Sequence, residues 1–375
     1  MKQNVLPAGS AWLLAVLMLT ACAQSVTASP TLTATISSTV AASALTPTRP
    51  ANPTVLSIPT TATATPPPTV TPIPPTPLPP TPTSAPTVAA TASGGAEVTA
   101  PEITISIPTY PIKDFLEEKI DPLYHIPVYY FNRPAYEASG PAPKPVDYTG
   151  VVLENEYLRL IFLPELGGRL YSAVVKATGQ EIFYHNPVVK PSRYGVLQPY
   201  EANWWLATGG MEWAYPTQEH GYRFGIPWSY KVSTTGEGTT ITLSDVAEGR
   251  VGAEVTVTLP FDSAAFIVEP RLVNGTSQPV PVQFWTNAAL TLGAASMSPQ
   301  TQFIVPSDKI IVHSRGEPGW TIPGERQESA WPLAGQTDLR QYSQWANYLG
   351  FFVPNMKAPF IGAYNPETDV GVARL

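Results

Sequence analysis

The residues best suited to chemistry crowd into one stretch, Asn203 to Tyr230. It holds Trp204, Trp205, Trp213 and Trp228, the carboxylates Glu212 and Glu219, and the run His220-Gly221-Tyr222-Arg223. A sugar presents apolar C–H faces and a polar rim. A site for one needs flat aromatic rings, with carboxylate, amide, guanidinium or imidazole groups for the hydroxyls. This stretch supplies both. The four indoles would serve as stacking faces, and Glu212, His220, Tyr222 and Arg223 as polar contacts. Gly209-Gly210 would let backbone approach closely. The competing reading of the same residues is an aromatic core with a few satisfied polar groups.

His220 sits in a glycine-punctuated segment that reads as loop, where functional polar residues concentrate. Histidine titrates near neutrality, so this imidazole could give or take a proton. Glu201, Glu212 and Glu219 could offer a carboxylate pair for glycoside chemistry, with solvated carboxylates as the plainer reading. His185, His220 and His313 lack metal-ligand spacing, so neither a metal site nor a cofactor is expected. No glycine-rich phosphate loop or Gly-x-Ser-x-Gly elbow occurs. Arg169, just after Gly168, reads either as a sugar ligand or as an ion-pair partner of Glu165.

The elements that must position these groups are strands. From Tyr148 onward, short alternating apolar runs recur: 151–163, 169–176, 182–184, 239–243, 253–259, 265–273, 280–285, 303–306, 310–313, 348–353 and 360–364. Turn formers such as Asn274-Gly275 and Asn365-Pro366 separate them. No sustained helical period and no strand–helix alternation appears. The pattern predicts an all-β fold, a large antiparallel β-sandwich. Residues 369–375 read as a strand with no closing turn, either at a sheet edge or in an interrupted domain; the sandwich is expected to be incomplete at its C-terminus.

Two motifs carry a family resemblance. Leu153-Glu154-Asn155-Glu156-Tyr157-Leu158-Arg159-Leu160, then Leu163-Pro164-Glu165-Leu166-Gly167-Gly168-Arg169-Leu170-Tyr171-Ser172, resembles the opening hairpin of galactose-mutarotase-like domains. His220-Gly221-Tyr222-Arg223, with Trp228 downstream, resembles the His-Gly-aromatic, Arg and Trp motif of aldose epimerases. The likeness runs from about Tyr148 to Leu375 and fits an uncharacterised branch of that superfamily. It implies a sugar-binding cleft with His220 touching the sugar and moving a proton. Two features depart from the family. A second His is expected in the stretch Phe284 to Ala289, where Asn287 stands instead, and no counterpart of the C-terminal general-base Glu is found. Asn287 could still hydrogen-bond a hydroxyl. The resemblance therefore implies binding more firmly than turnover.

The N-terminus supplies an address. Lys2 precedes an apolar run, Ala11 to Thr20, too short to span a bilayer. Leu19-Thr20-Ala21-Cys22 resembles a bacterial lipobox, and Cys22 is the one cysteine of the chain. A disulfide within the chain is thereby excluded. Cys22 would carry the lipid after removal of residues 1–21. Residues 22–101 hold 17 of the 44 prolines, with threonine, alanine and serine, and almost no charge. Such a segment cannot bury enough apolar surface to offset its ordering entropy and is expected to be a disordered tether. Net charge is −7 and no Lys/Arg run occurs, which excludes a nucleic-acid footprint.

The expected organisation is a signal peptide (1–21), a lipid-anchored tether (22–101), an extended N-terminal arm (102–147) and a mutarotase-like domain (148–375). The expected function is a carbohydrate-binding lipoprotein domain, anchored to the outer face of the bacterial cytoplasmic membrane or envelope. Glu212 and His220 are the candidate catalytic groups. Arg169, Trp204, Trp205, Trp213, Tyr222, Arg223, Trp228 and Asn287 are the candidate sugar contacts. Two alternatives stay open: a sugar epimerase or glycan-cleaving enzyme using His220 and a Glu, and a module that only meets other proteins.

Overall fold

The computed structural model describes residues 26–28, 34–35, 96–97, 100–192, 199–217, 219–316 and 319–375. The signal segment 1–21, Cys22 and nearly all of the tether lie outside the described residues. Among the described residues no helix is long and apolar enough to cross a membrane.

The fold is all-β, and its centre is a pair of facing sheets. The first has nine strands, eight of them in the spatial order Leu206–Gly209, His185–Pro191, Glu102–Thr109, Lys144–Glu154, Leu158–Leu163, Arg169–Val175, Met211–Ala214 and Trp285–Ala288. The second is a meander of Ser229–Thr234, Gly238–Ser244, Val251–Pro260 and Ile267–Asn274. The short segments Ala34–Thr35 and Ala96–Glu97 pair with its two edges.

Strand alternation explains why these sheets face each other. In Val251–Pro260, Val251, Ala253, Val255, Val257 and Leu259 point inward and are buried, while Glu254, Thr256 and Thr258 point outward. The outward row is not idle. Thr258 shares a hydroxyl hydrogen bond of 2.9 Å with Thr240, and Thr256 one of 3.3 Å with Thr242. Opposite, Val151, Leu153, Leu158, Leu160, Phe162, Leu170 and Ala173 complete the same core. Two sheets that bury one face each against the other form a β-sandwich.

The nine-stranded sheet also buries its other face. Residues 102–147 supply an internal strand, Glu102–Thr109, paired antiparallel with Lys144–Glu154 and in parallel, through Thr109 and Val189, with His185–Pro191. They also supply a hairpin, Leu116–Ile120 with Pro127–Phe131, and the helix Arg133–Ala138. Asn132 caps that helix by accepting from the Ala135 amide at 3.1 Å. Phe131 and Tyr136 join Ile107, Tyr148, Leu163, Tyr171, Val189, Trp204 and Leu206 in a second core. The site residues lie at this covered face. The C-terminal strands form smaller sheets, including Gln302–Ile304 with Ile361–Asn365 and Val370–Arg374, and Lys309–Arg315 with Leu349–Phe352.

Leu160 is fully buried at the centre of the sandwich, whereas Thr258 only caps the outer row. Leu160→Ala should cost about 2–5 kcal/mol of unfolding free energy. Thr258→Ala should cost less than about 1 kcal/mol. Urea unfolding followed by tryptophan fluorescence measures both; equal costs would overturn the inward and outward assignment.

Candidate functional site

Three adjacent strands place the site. Glu212 lies in Met211–Ala214, directly opposite Asn287 of Trp285–Ala288. On the other side, Met211 pairs with Leu170, next to Arg169. Because side chains alternate, Trp213 enters the sandwich core and Glu212 points the other way. Glu212, Arg169 and Asn287 thus converge beside the second core. Gly209 turns the chain between Leu206–Gly209 and Met211–Ala214 with φ of 95°. A Cβ there would lie 2.1 Å from the Tyr184 carbonyl oxygen, so glycine is required. The close approach expected of Gly209 is therefore made to the protein's own backbone.

The Glu212 carboxylate is the hub. One oxygen accepts from His220 Nδ1 in a short contact and from Asn287 Nδ2 at 3.1 Å. The other accepts from Arg169 at 3.4 Å. Burial alone would push this carboxyl upward. His220, Arg169 and Asn287 together outweigh burial and hold it below the ordinary value, so Glu212 is an anion at neutral pH. Arg169 is 2% exposed and fully engaged: it also donates to the carbonyls of Leu166 at 3.0 Å, Gly209 at 2.7 Å and Phe224 at 3.3 Å. That corrects both expectations for Arg169. It is not free to hold a sugar, and its partner is Glu212 rather than Glu165.

His220 comes from the loop after Met211–Ala214. Gly221, with φ of 60°, presses that loop against Tyr215, where a Cβ would meet backbone at 2.3 Å. Asn287 Nδ2 fastens the same loop by donating to the Glu219 carbonyl at 2.5 Å. The imidazole stacks on Trp205 with centroids 4.0 Å apart and planes 9° apart. With Nδ1 donating to Glu212, a neutral ring would present Nε2 as an acceptor. Nε2 has no partner among the described residues, yet it is not among the atoms sealed from solvent. This nitrogen lies beside a half-buried Trp205.

The other expected sugar contacts lie elsewhere, and their roles are corrected. Trp204, Trp213 and Trp228 are 6%, 2% and 3% exposed, so none offers a face to a ligand. Trp204 donates to the Tyr129 carbonyl at 2.8 Å in the second core, and Trp213 to the Gly168 carbonyl at 2.8 Å. Trp228 packs edge-on against Tyr215. These indoles are turned inward because the nine-stranded sheet is covered on both faces. Of the four, only Trp205 stays at a boundary.

Arg223 belongs to a second buried cluster. It grips Asp245 through two bonds of 2.6 and 3.0 Å, Arg250 adds two of 2.7 and 3.4 Å, and the Tyr215 hydroxyl donates to the same carboxylate. Burial raises the Asp245 carboxyl, but its Arg223, Tyr215 and Arg250 partners more than reverse this. Burial also raises the Tyr222 phenol, which reaches Asp121 at 3.3 Å and packs edge-on to Tyr124. The structure thus unites Trp205, Glu212, His220, Asn287 and Arg169, and leaves Tyr222, Arg223 and Trp228 outside. Sequence reasoning did not single out Asp245. Its signal was weak: one acidic residue after a strand, with Arg250 five positions on. Among the described residues no group of three or more His, Cys, Asp or Glu side chains could hold a metal ion.

A family model described as "Domain of unknown function (DUF5107)" matches residues 124–375. A crystal structure of a TPR-domain containing protein from Parabacteroides distasonis ATCC 8503 is similar over 73% of this chain, with a TM-score of 0.53 and 21% identity. At that identity the likeness shows the fold alone. The matched part spans 43% of that protein's chain.

Asp245→Asn should cost about 3–5 kcal/mol, because it leaves buried Arg223 and half-buried Arg250 without their counter-charge. The sign of the pH effect follows from the lowered carboxyl. Its stabilisation is complete above the unfolded aspartate value of about 3.9 and is lost as pH falls through the folded value. Urea midpoints measured downward from pH 6 should fall more steeply below about pH 4 in the wild type than in Asp245→Asn. Parallel curves would exclude this role for Asp245.

Proposed function

The chain belongs to the DUF5107 family, and we propose that it is a carbohydrate-handling domain of the galactose-mutarotase type, held outside the cell membrane by a lipid on Cys22. The observation that carries the proposal is the His220–Glu212 pair. A buried carboxylate fixes the imidazole by Nδ1 and leaves Nε2 without a partner among the described residues, beside an aromatic ring. A fixed imidazole with a free acceptor suits a sugar hydroxyl both as a hydrogen-bond partner and as a proton to be taken. Trp205 supplies the one flat ring near that nitrogen, and C–H faces of a pyranose match it. The sugar therefore sits at a small mouth defined by Trp205 and His220, rather than along a groove of four indoles. The low charge of the chain suits a neutral saccharide.

A second reading is a module that contacts only other proteins. The inward packing of Trp204, Trp213 and Trp228 favours it, since core indoles need no ligand to explain them.

The test uses the full chain in detergent micelles, with neutral mono- and oligosaccharides titrated while the ¹⁵N resonances of His220 are followed. The expected result is an Nδ1–H tautomer whose Nε2 signal moves on sugar addition. Trp205→Ala should weaken that response about tenfold, a loss of roughly 1.4 kcal/mol, with the melting temperature little changed. A ring that no saccharide perturbs would remove the sugar reading and favour the protein-contact one. Labelled fatty acid should enter the wild-type chain and not Cys22→Ser; equal labelling would remove the anchor from the proposal.

A further inference from the structure

The turn that joins Val251–Pro260 to Ile267–Asn274 reads Phe261-Asp262-Ser263-Ala264-Ala265-Phe266. Phe261 is 43% exposed and Ile267, just after the turn, 52%. Ala264 and Ala265 are exposed as well, and Asp262 is the one charge of this stretch. Tyr157, 39% exposed, comes from the neighbouring turn. Asn155 ties the two turns together. Its buried side chain donates to the carbonyls of Pro260 at 2.6 Å and Ser263 at 2.8 Å, and accepts from the amides of Tyr157 at 2.8 Å and Leu158 at 2.7 Å. The Phe261 amide is held in turn by the Glu237 carbonyl at 3.1 Å. A turn pinned in this way cannot fold its rings inward, and an apolar patch fixed toward the exterior marks a contact surface.

These turns lie at one end of the sandwich, and the Glu212 cluster lies at the other. Arg169–Val175 starts at that cluster and ends beside Tyr157, whose carbonyl accepts from the Lys176 amide at 2.8 Å. The chain that leads back to Cys22 enters the fold at the apolar end. The Pro101 carbonyl accepts from the Val152 amide at 2.9 Å, and Glu102 stands opposite Val151. Ala96–Glu97 pairs with Ser233 and Thr234, just before the turn at 235–237. A lipid on Cys22 therefore draws this end toward the bilayer, and the covalent link raises its local concentration there. Val26–Ala28, closer to Cys22, pairs with Val280–Val282 at the opposite end. That pairing is two-stranded and three residues long, which is marginal in water, whereas Glu102–Thr109 is built into the middle of the larger sheet.

We infer that Tyr157, Phe261, Ala264, Ala265 and Ile267 form a membrane-docking tip, which enters the interface of a lipid bilayer and turns the Glu212 cluster away from it. This rests on the lipid anchor proposed above and adds an orientation to it. Phenyl and aliphatic groups leave water at the acyl boundary, and a phenol suits the headgroup level. Lys176 and Arg159 are both taken by Glu154, at 2.7 and 3.5 Å. Glu156, Glu237 and Asp262 are exposed around the tip. The fit is therefore to zwitterionic lipid through apolar contact, and not to an anionic leaflet through charge.

The test reconstitutes the full lipidated chain in phosphatidylcholine vesicles. Acylation leaves Cys22 without a free thiol, so Ala264→Cys or Ser229→Cys carries a single environment-sensitive fluorophore. Exposed Ser229 begins its strand at the other end of the sandwich. Emission from position 264 should shift to the blue on vesicles. Lipids brominated in their acyl chains should quench it severalfold more than emission from position 229, equally at low and high salt. Phe261→Asp combined with Ile267→Asp should abolish that difference. The variant should stay on the vesicles and melt as before, since both side chains are largely in water. An acylated chain whose label at 264 remains in water keeps the anchor and overturns this inference. Stronger quenching at 229 also overturns it and sets the opposite end at the bilayer. Shielding at 264 that follows protein concentration and not lipid makes a second copy the occupant, with the same consequence. A chain that takes up no labelled fatty acid loses the anchor, and this inference with it.

Discussion

An ionised carboxylate taken out of water must be met by charge and hydrogen bonds, or the fold loses several kcal/mol. Glu212 is that carboxylate, and much of the local architecture follows from its needs. Arg169 opens its strand beside the chain turn at Gly209, so that one guanidinium serves the carboxylate and three backbone carbonyls. Asn287 lies across from Glu212 in exact strand register and reaches onward to the next loop. His220 completes the shell from that loop. Register, turn and loop are each constrained by the same pair of oxygens.

The second buried anion shows the same compensation with other partners. Asp245 is enclosed by Arg223, Arg250 and Tyr215, and the spare Arg223 nitrogen is sealed from solvent. That cluster fastens the meander to the loop after Met211–Ala214. The Glu212 cluster differs by one atom, the free Nε2.

The fold was largely legible because strand burial writes itself into alternation. The runs at 239–243, 253–259 and 360–364 appear as Gly238–Ser244, Val251–Pro260 and Ile361–Asn365. The strands Leu206–Gly209 and Met211–Ala214 escaped notice. Their sheet is covered on both faces, so burial does not alternate along them, and each is only four residues long. The same covering misled the reading of the indoles. Trp204 looked like an exposed platform because the sequence does not show that residues 102–147 close over that side, and Trp213 and Trp228 because it does not show that they enter the core between the two sheets. Composition identified the right segment but could not assign its faces. The pairing of Glu212 with His220 and Asn287 depends on cross-strand register and a loop return, neither of which spacing along one chain encodes.

The strand Glu102–Thr109 lies outside the stretch matched by the family model, which begins at residue 124, yet it is flanked by partners on both sides. A chain begun at residue 124 would have a slot in the middle of its larger sheet. Two rows of amide and carbonyl groups would line that slot without mates, inviting any extended peptide to fill it. The natural limit of the folding unit therefore falls upstream of the limit drawn by sequence similarity.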